Sequence, residues 1–398
     1  MKILHTSDWH LGKSLEGFSR IEEQEEILED IIEIVEKNDV DAIVIAGDIY
    51  DTYNPPSAAE RLFYKTIKKL GKGGERKIII VSGNHDSPDR ITASNILSRD
   101  HGAYVVSYPG DMNGYLEKPQ EGLTFNGYNM IIDFENEILN LGLLPYPGES
   151  RLKRFYSNSI EEKEHFDGFK SILADIFNKI DEGFSEEHFN MFVGHMFAVG
   201  GDTSDSERSI QLGGTMGIEK GMFPEKADYC ALGHFHKPQV ISRSKNVYYS
   251  GSILPYSRGE ETISKSVILI ETEDSKLKSL DIIPLRNVKP IEVWRFKSVD
   301  ESMEYLEENI DRQVWSYIEI EMDRPLLQDE IKKMKSMKED ILSIVPIISR
   351  EADRESVEFK EEKIDQVFKN FYMNTYSSEP EDDILRKFLS LVEEGEEI

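Results

Sequence analysis

Cysteine is almost missing from this chain: Cys230 is the only one in 398 residues. No disulfide can form within the chain, and no thiolate cluster can hold a structural zinc. A reducing, cytoplasmic setting is the expectation. Long apolar runs are missing too, since no stretch approaches the ~18 consecutive apolar residues of a membrane-spanning helix. The opening Met1-Lys2-Ile3-Leu4 runs straight into Asp8 and His10, so no cleaved signal peptide is expected. Positive charge is the third shortage, with 47 Lys and Arg against 76 Asp and Glu and a net charge of −29. Nucleic-acid binders usually carry a basic patch that displaces counterions from phosphate, so charge alone favours another substrate. Two features weaken that exclusion. Carboxylates that ligate metals sit in a field the ions themselves reverse. In addition, 15 acidic and only 6 basic residues fall between Glu351 and Ile398.

What is present suffices for a folded core. Apolar residues make up 39% of the chain, with 17 Tyr and 19 Phe, and the length leaves room for two or three domains. Lys2–Ser7, Ala42–Gly47 and Lys77–Ser82 read as buried strands. Between the first two, Ile27, Ile31, Ile34 and Val35 recur at helical spacing; Leu62, Thr66, Ile67 and Leu70 repeat the pattern before the third. This βαβαβ order argues for an α/β layered core, whose strand ends are the usual place for ligand sites. Hairpins are expected between Gly110 and Pro147, a helix around Phe166–Ile180, and strands at Phe189–Gly194, Tyr229–Gly233 and Val247–Ser250. After Pro284–Pro290 a β-α-β-α-β module is expected. It comprises strands Ile291–Phe296 and Tyr317–Met322, a helix with Met303, Leu306 and Ile310, a second with Ile331, Met334 and Ile341, and a strand at Ile344–Ile348. A charged linker then leads to two short amphipathic helices; the second is introduced by Ser378-Glu379-Pro380-Glu381, a capping-box pattern.

Five separated pieces carry the chemistry: Asp8-Trp9-His10, Gly47-Asp48-Ile49-Tyr50-Asp51, Gly83-Asn84-His85-Asp86, Gly194-His195 and Gly233-His234-Phe235-His236. In each, an apolar strand stops and oxygen or imidazole ligands follow. Asp8 and His10, two apart, share a side if the chain there is extended, and so do His234 and His236. Glycine before the ligands allows sharp turns and close approach. Mixed Asp, His and Asn ligation suits divalent manganese or iron. Two ions ~3.5–4 Å apart can share a carboxylate and clamp an in-line displacement at phosphorus. The assignment is Asp8, His10, Asp48 and His236 to one ion, and Asp48, Asn84, His195 and His234 to the other, with Asp48 as the bridge. His85, beside a ligand but assigned to no ion, is the candidate to stabilise phosphoryl charge or protonate the leaving oxygen. A lone Asp-x-His or a GNHD turn is ordinary; five of nine histidines falling in these pieces, in strand order, is not. His5 is expected in the core or behind the ligands, and His101, His165 and His188 at the surface.

These pieces are similar to the signature of the calcineurin-like metallophosphoesterase superfamily over residues 1–260. The surrounding text, MKILHTSDWHLGK, GDIYDTYNPPSAAERLFY, GNHDSPDR, GGDTSDSERSIQLGG, ALGHFHKPQ and YSGSILPYSRGE, resembles the bacterial SbcD family of nuclease subunits. The tail FYMNTYSSEPEDDILRKFLSLVEE is similar to that family's partner-binding segment. The resemblance implies a layered β-sandwich flanked by helices, a small α+β cap domain, and C-terminal helices. The corresponding division is 1–282 for the nuclease domain, 288–350 for the cap, and 360–396 for the ATPase-binding helices. It also implies 3′–5′ exonuclease and endonuclease activity on DNA ends and hairpins, serving repair, recombination and replication. Two Mn2+ ions are the implied cofactors, with Mg2+ or Fe2+ as substitutes. The implied partner is an SbcC-like SMC-family ATPase, bound by a homodimer to make a heterotetramer at the nucleoid, with no membrane involved. The assigned ligands fall on the family's ligand positions, and His85 on its catalytic histidine.

The family's archaeal and eukaryotic branch has histidine where this chain has Asp51, and a carboxylate donates a proton only when protonated; its role stays open. Lys13 and Arg90 flank the motifs, either as phosphate contacts or as solvated charges. Ser204–Arg208 faces either DNA or a second copy, and the terminal helices either bind the partner or pack on their own domain. A phosphomonoesterase using the same ions, or a scaffold binding DNA ends without catalysis, are the competing functions.

Overall fold

A computed structural model describes residues 1–93, 95–110, 112, 122–156, 165–207 and 217–348, with positions 368, 372, 384, 385 and 388 beyond. The chain begins with β1 (Lys2–Thr6), a small hairpin of β2 (Ser14–Leu15) and β3 (Phe18–Ser19), α1 (Ile21–Lys37), β4 (Ala42–Ala46), α2 (Ser57–Leu70) and β5 (Lys77–Val81). Short helices α3 (Pro88–Thr92) and α4 (Asn95–Arg99) lead to β6 (Ala103–Val106). There follow β7 (Leu123–Asn126), β8 (Asn129–Asp133), β9 (Ile138–Leu144), α5 (Glu149–Tyr156), α6 (His165–Gly183), β10 (Phe189–His195), β11 (Tyr229–Gly233), β12 (Gln239–Ser242) and β13 (Val247–Tyr249). A long hairpin, β14 (Ser266–Glu273) and β15 (Lys276–Pro284), precedes β16 (Ile291–Phe296), α7 (Val299–Glu308), β17 (Trp315–Met322), α8 (Gln328–Met337) and β18 (Ile341–Ile348).

Two sheets form the body. One has the order β15-β14-β1-β4-β5-β6, the other β12-β13-β11-β10-β9-β8-β7. β1, β4 and β5 run parallel in the first, and β9, β10, β11 and β13 in the second. Their sequences are near-continuous apolar runs because both faces are covered. Neighbouring residues on one strand serve opposite layers. Ile3, Val44 and Ile79 face Met130, Leu141 and Val193 in a core between the sheets. Leu4, Ile43 and Ile80 pack instead on Ile27, Ile31 and Val35 of α1 and Leu62, Phe63 and Ile67 of α2. On the far side, Phe192 and Leu232 meet Leu173, Ile176 and Phe177 of α6. Each such side chain contributes ~1.5–3 kcal/mol when fully buried. The result is the expected layered α/β sandwich, helix–sheet–sheet–helix, with the carboxyl ends of β1, β4, β5, β10 and β11 available to build a site.

The β14–β15 hairpin was not foreseen. Its turn residues Asp274 and Ser275 have φ of 52° and 58°, between Glu273 and Lys276, which pair. Two consecutive positive φ values match the right-handed twist of a two-residue hairpin. The third sheet has the order β16-β17-β18. Two details of that module differ from expectation. Ile341 opens β18 rather than continuing α8, which ends at Met337, and Ile310 lies beyond α7, exposed.

The chain divides into one unit of residues 1–320 with 326–345, and another of 321–325 with 346–398. In the second, Phe368 stacks on Phe388 with ring centroids 4.0 Å apart. The expected terminal helices otherwise lie outside the described residues, as do residues 208–216. Among the described residues, no helix is long and apolar enough to cross a membrane.

Candidate metal centre

The strand ends converge. Asp8 and His10 follow β1, Asp48 follows β4, Asn84 and His85 follow β5, His195 closes β10, and His234 and His236 follow β11. Asp8 and His10 are not on extended chain: their φ values are 52° and 46°, and that of Asp48 is 50°. Left-handed turns, not strand periodicity, aim these ligands inward. Such backbone costs about 1–3 kcal/mol per residue and persists only where neighbours over-determine it. Here they do. Asp8 and His10 donate their amides to the carbonyls of Gly47 (3.0 Å) and Asp48 (2.9 Å). The Asp86 carboxylate accepts from the amides of Ile49 (3.2 Å), Tyr50 (3.0 Å) and Gly83 (2.8 Å), joining the β4 and β5 loops. Buried Arg151 then holds the second loop through the carbonyls of Gly83 (2.9 Å) and Asp86 (2.7 Å). Gly47, at φ +87°, has no room for a Cβ, which would sit 2.3 Å from His195 Nδ1; a Cβ on Gly83 would lie 2.1 Å from Asp48 Oδ1.

Two groups of donors face each other across Asp48. In the first, the Nε2 atoms of His10 and His236 are 3.0 Å apart, and His10 Nε2 is 3.6 Å from Asp48 Oδ2. Asp8, His10 and His236 place one ligand atom each within 4.8 Å of one another. In the second, His195 Nε2 lies 3.4 Å from Asp48 Oδ2 and 2.9 Å from Asn84 Oδ1, with His234 Nδ1 3.3 Å from the same amide oxygen. His234 and His236 therefore point into different groups.

The electrostatics explain why these atoms are ready to ligate. Burial pushes His10 and His234 down to about 3 and lowers His236, so all three keep free lone pairs at neutral pH. Burial opposes ionisation of Asp48, but His195, His85 and His10 outweigh it and hold the carboxyl well below the usual range. Burial would also keep His195 neutral, yet Asp48 and Asp8 raise it to about 9. Burial raises Asp8 to about 7 despite His195 beside it. Two neutral imidazoles presenting Nε2 atoms 3.0 Å apart leave one proton at most between them. With carboxylates adjacent, that donor set fits a divalent cation.

His85 donates its amide to Asp48 Oδ1 (2.8 Å), and its Nδ1 contacts the Asp51 carbonyl at 2.7 Å. Its ring meets that of His10 edge-on at 4.7 Å. Asp51 is a hub: Oδ1 lies 3.4 Å from His10 Nδ1 and accepts from Lys13 Nζ at 2.8 Å. Lys13 thus joins the cluster. Arg90 does not; it is exposed and bound to Glu60 (3.1 Å) and Asn54 (2.9 Å). His5 is buried, facing Tyr229 Oη (3.0 Å) and the Leu232 carbonyl (3.2 Å), and ties β1 to β11 beneath the ligands. His101 and His188 are half-buried rather than exposed, and the side chain of His165 lies outside the described residues.

Sequence reasoning missed what stands behind the ligands. Ser204–Glu207, expected to face DNA or a second copy, lies against the ligands: Glu207 accepts the His236 amide at 2.7 Å, and Ser206 touches His236 Nδ1. Arg208 lies outside the described residues. Glu260 and Lys265 complete this backing.

The calcineurin-like phosphoesterase family model matches residues 1–238. A second family, described as the type 5 capsule protein repressor C-terminal domain, matches 287–376. The SbcD subunit of the SbcCD nuclease from Bacillus subtilis is 34% identical over 100% of this chain and 99% of its own length. The protein of the same name from Staphylococcus epidermidis is 28% identical over 98% of this chain and 99% of its own. Among solved structures, a dimetal phosphatase from Danio rerio covers 72% of this chain and 96% of its own, at 12% identity and a TM-score of 0.39. This chain belongs to the calcineurin-like phosphoesterase family, in the branch of the SbcD nucleases.

Proposed function

We propose that this chain is the nuclease subunit of an SbcCD-type complex, hydrolysing phosphodiester bonds at DNA ends and hairpins with two divalent ions, manganese foremost. The observation that carries the reading is the pair of donor groups sharing Asp48, in a chain similar to these nucleases over its whole length. Asp8, His10, Asp48 and His236 would hold one ion, and Asp48, Asn84, His195 and His234 the other. Ions so placed supply Lewis-acid polarisation of the scissile phosphate and activation of water. They also answer the charge objection, because their field reverses that of the carboxylates around them.

The chain's own residues do the rest. His85, with Nδ1 committed to the Asp51 carbonyl, keeps Nε2 free to hydrogen-bond a phosphoryl or leaving oxygen. Asp51 keeps that ring in place through its carbonyl and steadies Lys13 through its carboxylate. Lys13, held by Asp51 beside the donor groups, would contact a phosphate near the cleaved one, and Arg90 would serve only as a peripheral phosphate contact. Residues 1–282 cleave, 288–350 position DNA, and 360–396 bind the SbcC-like ATPase, with two copies of the chain in the assembly at the nucleoid. A separate family model that begins at residue 287 supports the division before 288.

The test is cleavage of an end-labelled hairpin DNA and of a generic phosphomonoester by the manganese-loaded chain, with and without the co-purified ATPase. Labelled cleavage products dependent on Mn2+ are expected. Turnover of the phosphomonoester alone would replace this reading with a phosphatase.

A further inference from the structure

The charges buried behind His236 have no part in the reading above. Ser206 Oγ is in hydrogen-bond contact with both His236 Nδ1 and Glu260 Oε1. The other Glu260 oxygen takes Lys265 Nζ, which also donates to the His236 carbonyl (2.9 Å) and to Ser252 Oγ (2.9 Å). Glu260 is 0% exposed and Lys265 5%. A buried ion pair is a poor source of stability, and it is tolerated when all its donors and acceptors are used. Here Glu260 also accepts from Ser204 Oγ (3.4 Å) and Ser257 Oγ (3.2 Å) and Lys265 donates to Ser252 Oγ, while the remaining contacts gather on His236. The side chain of His236 meets Ser206, its amide donates to Glu207, and its carbonyl accepts from Lys265.

The protons can be placed by counting. A serine hydroxyl has one proton, and an ionised carboxylate can only accept. Ser206 therefore donates to Glu260, and its oxygen is left to accept from His236. The imidazole proton then sits on Nδ1, and Nε2 carries the lone pair. That nitrogen is the one aimed at His10 Nε2, 3.0 Å away.

We propose that Ser206 and Glu260, backed by Lys265, are positioning residues that lock the tautomer and ring orientation of His236, and so set how tightly the ion on the His10 side is held. This rests on the two-ion reading of the site. Outer hydrogen-bond partners of metal-ligating histidines are worth about 10- to 100-fold in metal affinity. Among the described residues no such relay stands behind His195, whose Nδ1 donates to the Ala46 carbonyl at 2.9 Å, a neutral acceptor fixed within a strand.

The full chain, stripped of metal, is titrated with Mn2+, following free Mn2+ by electron paramagnetic resonance, and thermal unfolding of the metal-free protein is recorded alongside. In Glu260→Gln one of the two ions should bind about 10- to 100-fold more weakly, the other as before, and the unfolding temperature should fall because Lys265 loses its buried partner, so binding is read well below that transition. Ser206→Ala should weaken the same ion, and Ser206→Thr, which keeps the hydroxyl, should restore it. If Glu260→Gln does not fold, the two Ser206 variants decide. Unchanged binding in Ser206→Ala, or equal weakening of both ions, overturns the proposal. If the unaltered chain fails to bind two ions, the two-ion reading falls instead; if it binds two and the variants match it, only the relay falls.

Discussion

The two donor groups around Asp48 are built from similar residues but held by different means. On the His195 side, orientation comes from the backbone: His195 is the last residue of β10, and its Nδ1 donates to the carbonyl of Ala46 in β4. On the His236 side, it comes from side chains: Ser206, Glu207, Glu260 and Lys265 arrive from segments outside the parallel strands. One group is as rigid as the sheets that carry it. The other depends on a loop and on a buried ion pair.

The widest break in the comparison is Asp48→Asn, which strikes both groups at once. It should lower Mn2+-dependent hydrolysis by about 1,000-fold or more, since several kcal/mol of transition-state stabilisation are removed; Mn2+ titration should show both ions weakened together. His85→Ala should lower kcat by about 100- to 10,000-fold while leaving both ions bound. Equal cleavage by this variant at saturating Mn2+ would remove His85 from the mechanism. His5, which joins β1 to β11 beneath both groups, tests the rigid part. Burial takes its pKa down to about 3 from 6.5. The unfolded chain therefore binds a proton that the folded one refuses between these values. Stability present above pH 6.5 is lost as pH falls toward 3, by about 1.4 kcal/mol per pH unit from this group. Denaturant unfolding of His5→Gln should show a shallower loss over that window than the unaltered chain. The smallest effect is expected for Lys13→Ala, which should weaken DNA binding modestly and reduce the salt-dependence slope by about 1.

Much of the site could be read from one chain because each ligand follows the end of an apolar run, and strand ends are local features. The helix periods at Ile27–Val35 and Leu62–Leu70 became α1 and α2 for the same reason, with Ile27, Ile31, Val35, Leu62, Ile67 and Leu70 all in the core. The pairing of Asp8 with His10 was anticipated on a wrong premise. Their side chains meet because of left-handed turns, which the amide-to-carbonyl bonds to Gly47 and Asp48 hold in place. Asp86 stood in the GNHD text without a role, and only its three amide donors reveal it as a clamp.

From the sequence alone come the ligand types, their order, the strands that carry them and the layered class, all of which rest on short-range spacing and composition. The tertiary structure decided how the ligands are aimed, with left-handed turns at Asp8, His10 and Asp48 rather than extended chain. It also decided that β14 returns from residue 266 to pair with β1, and that Glu260, Lys265 and Arg151 stand behind the site. Those are contacts between residues tens to hundreds of positions apart. A buried charge far along the chain leaves no periodic mark; its partner is set by how the sheets stack, because burial obliges each polar atom to find one.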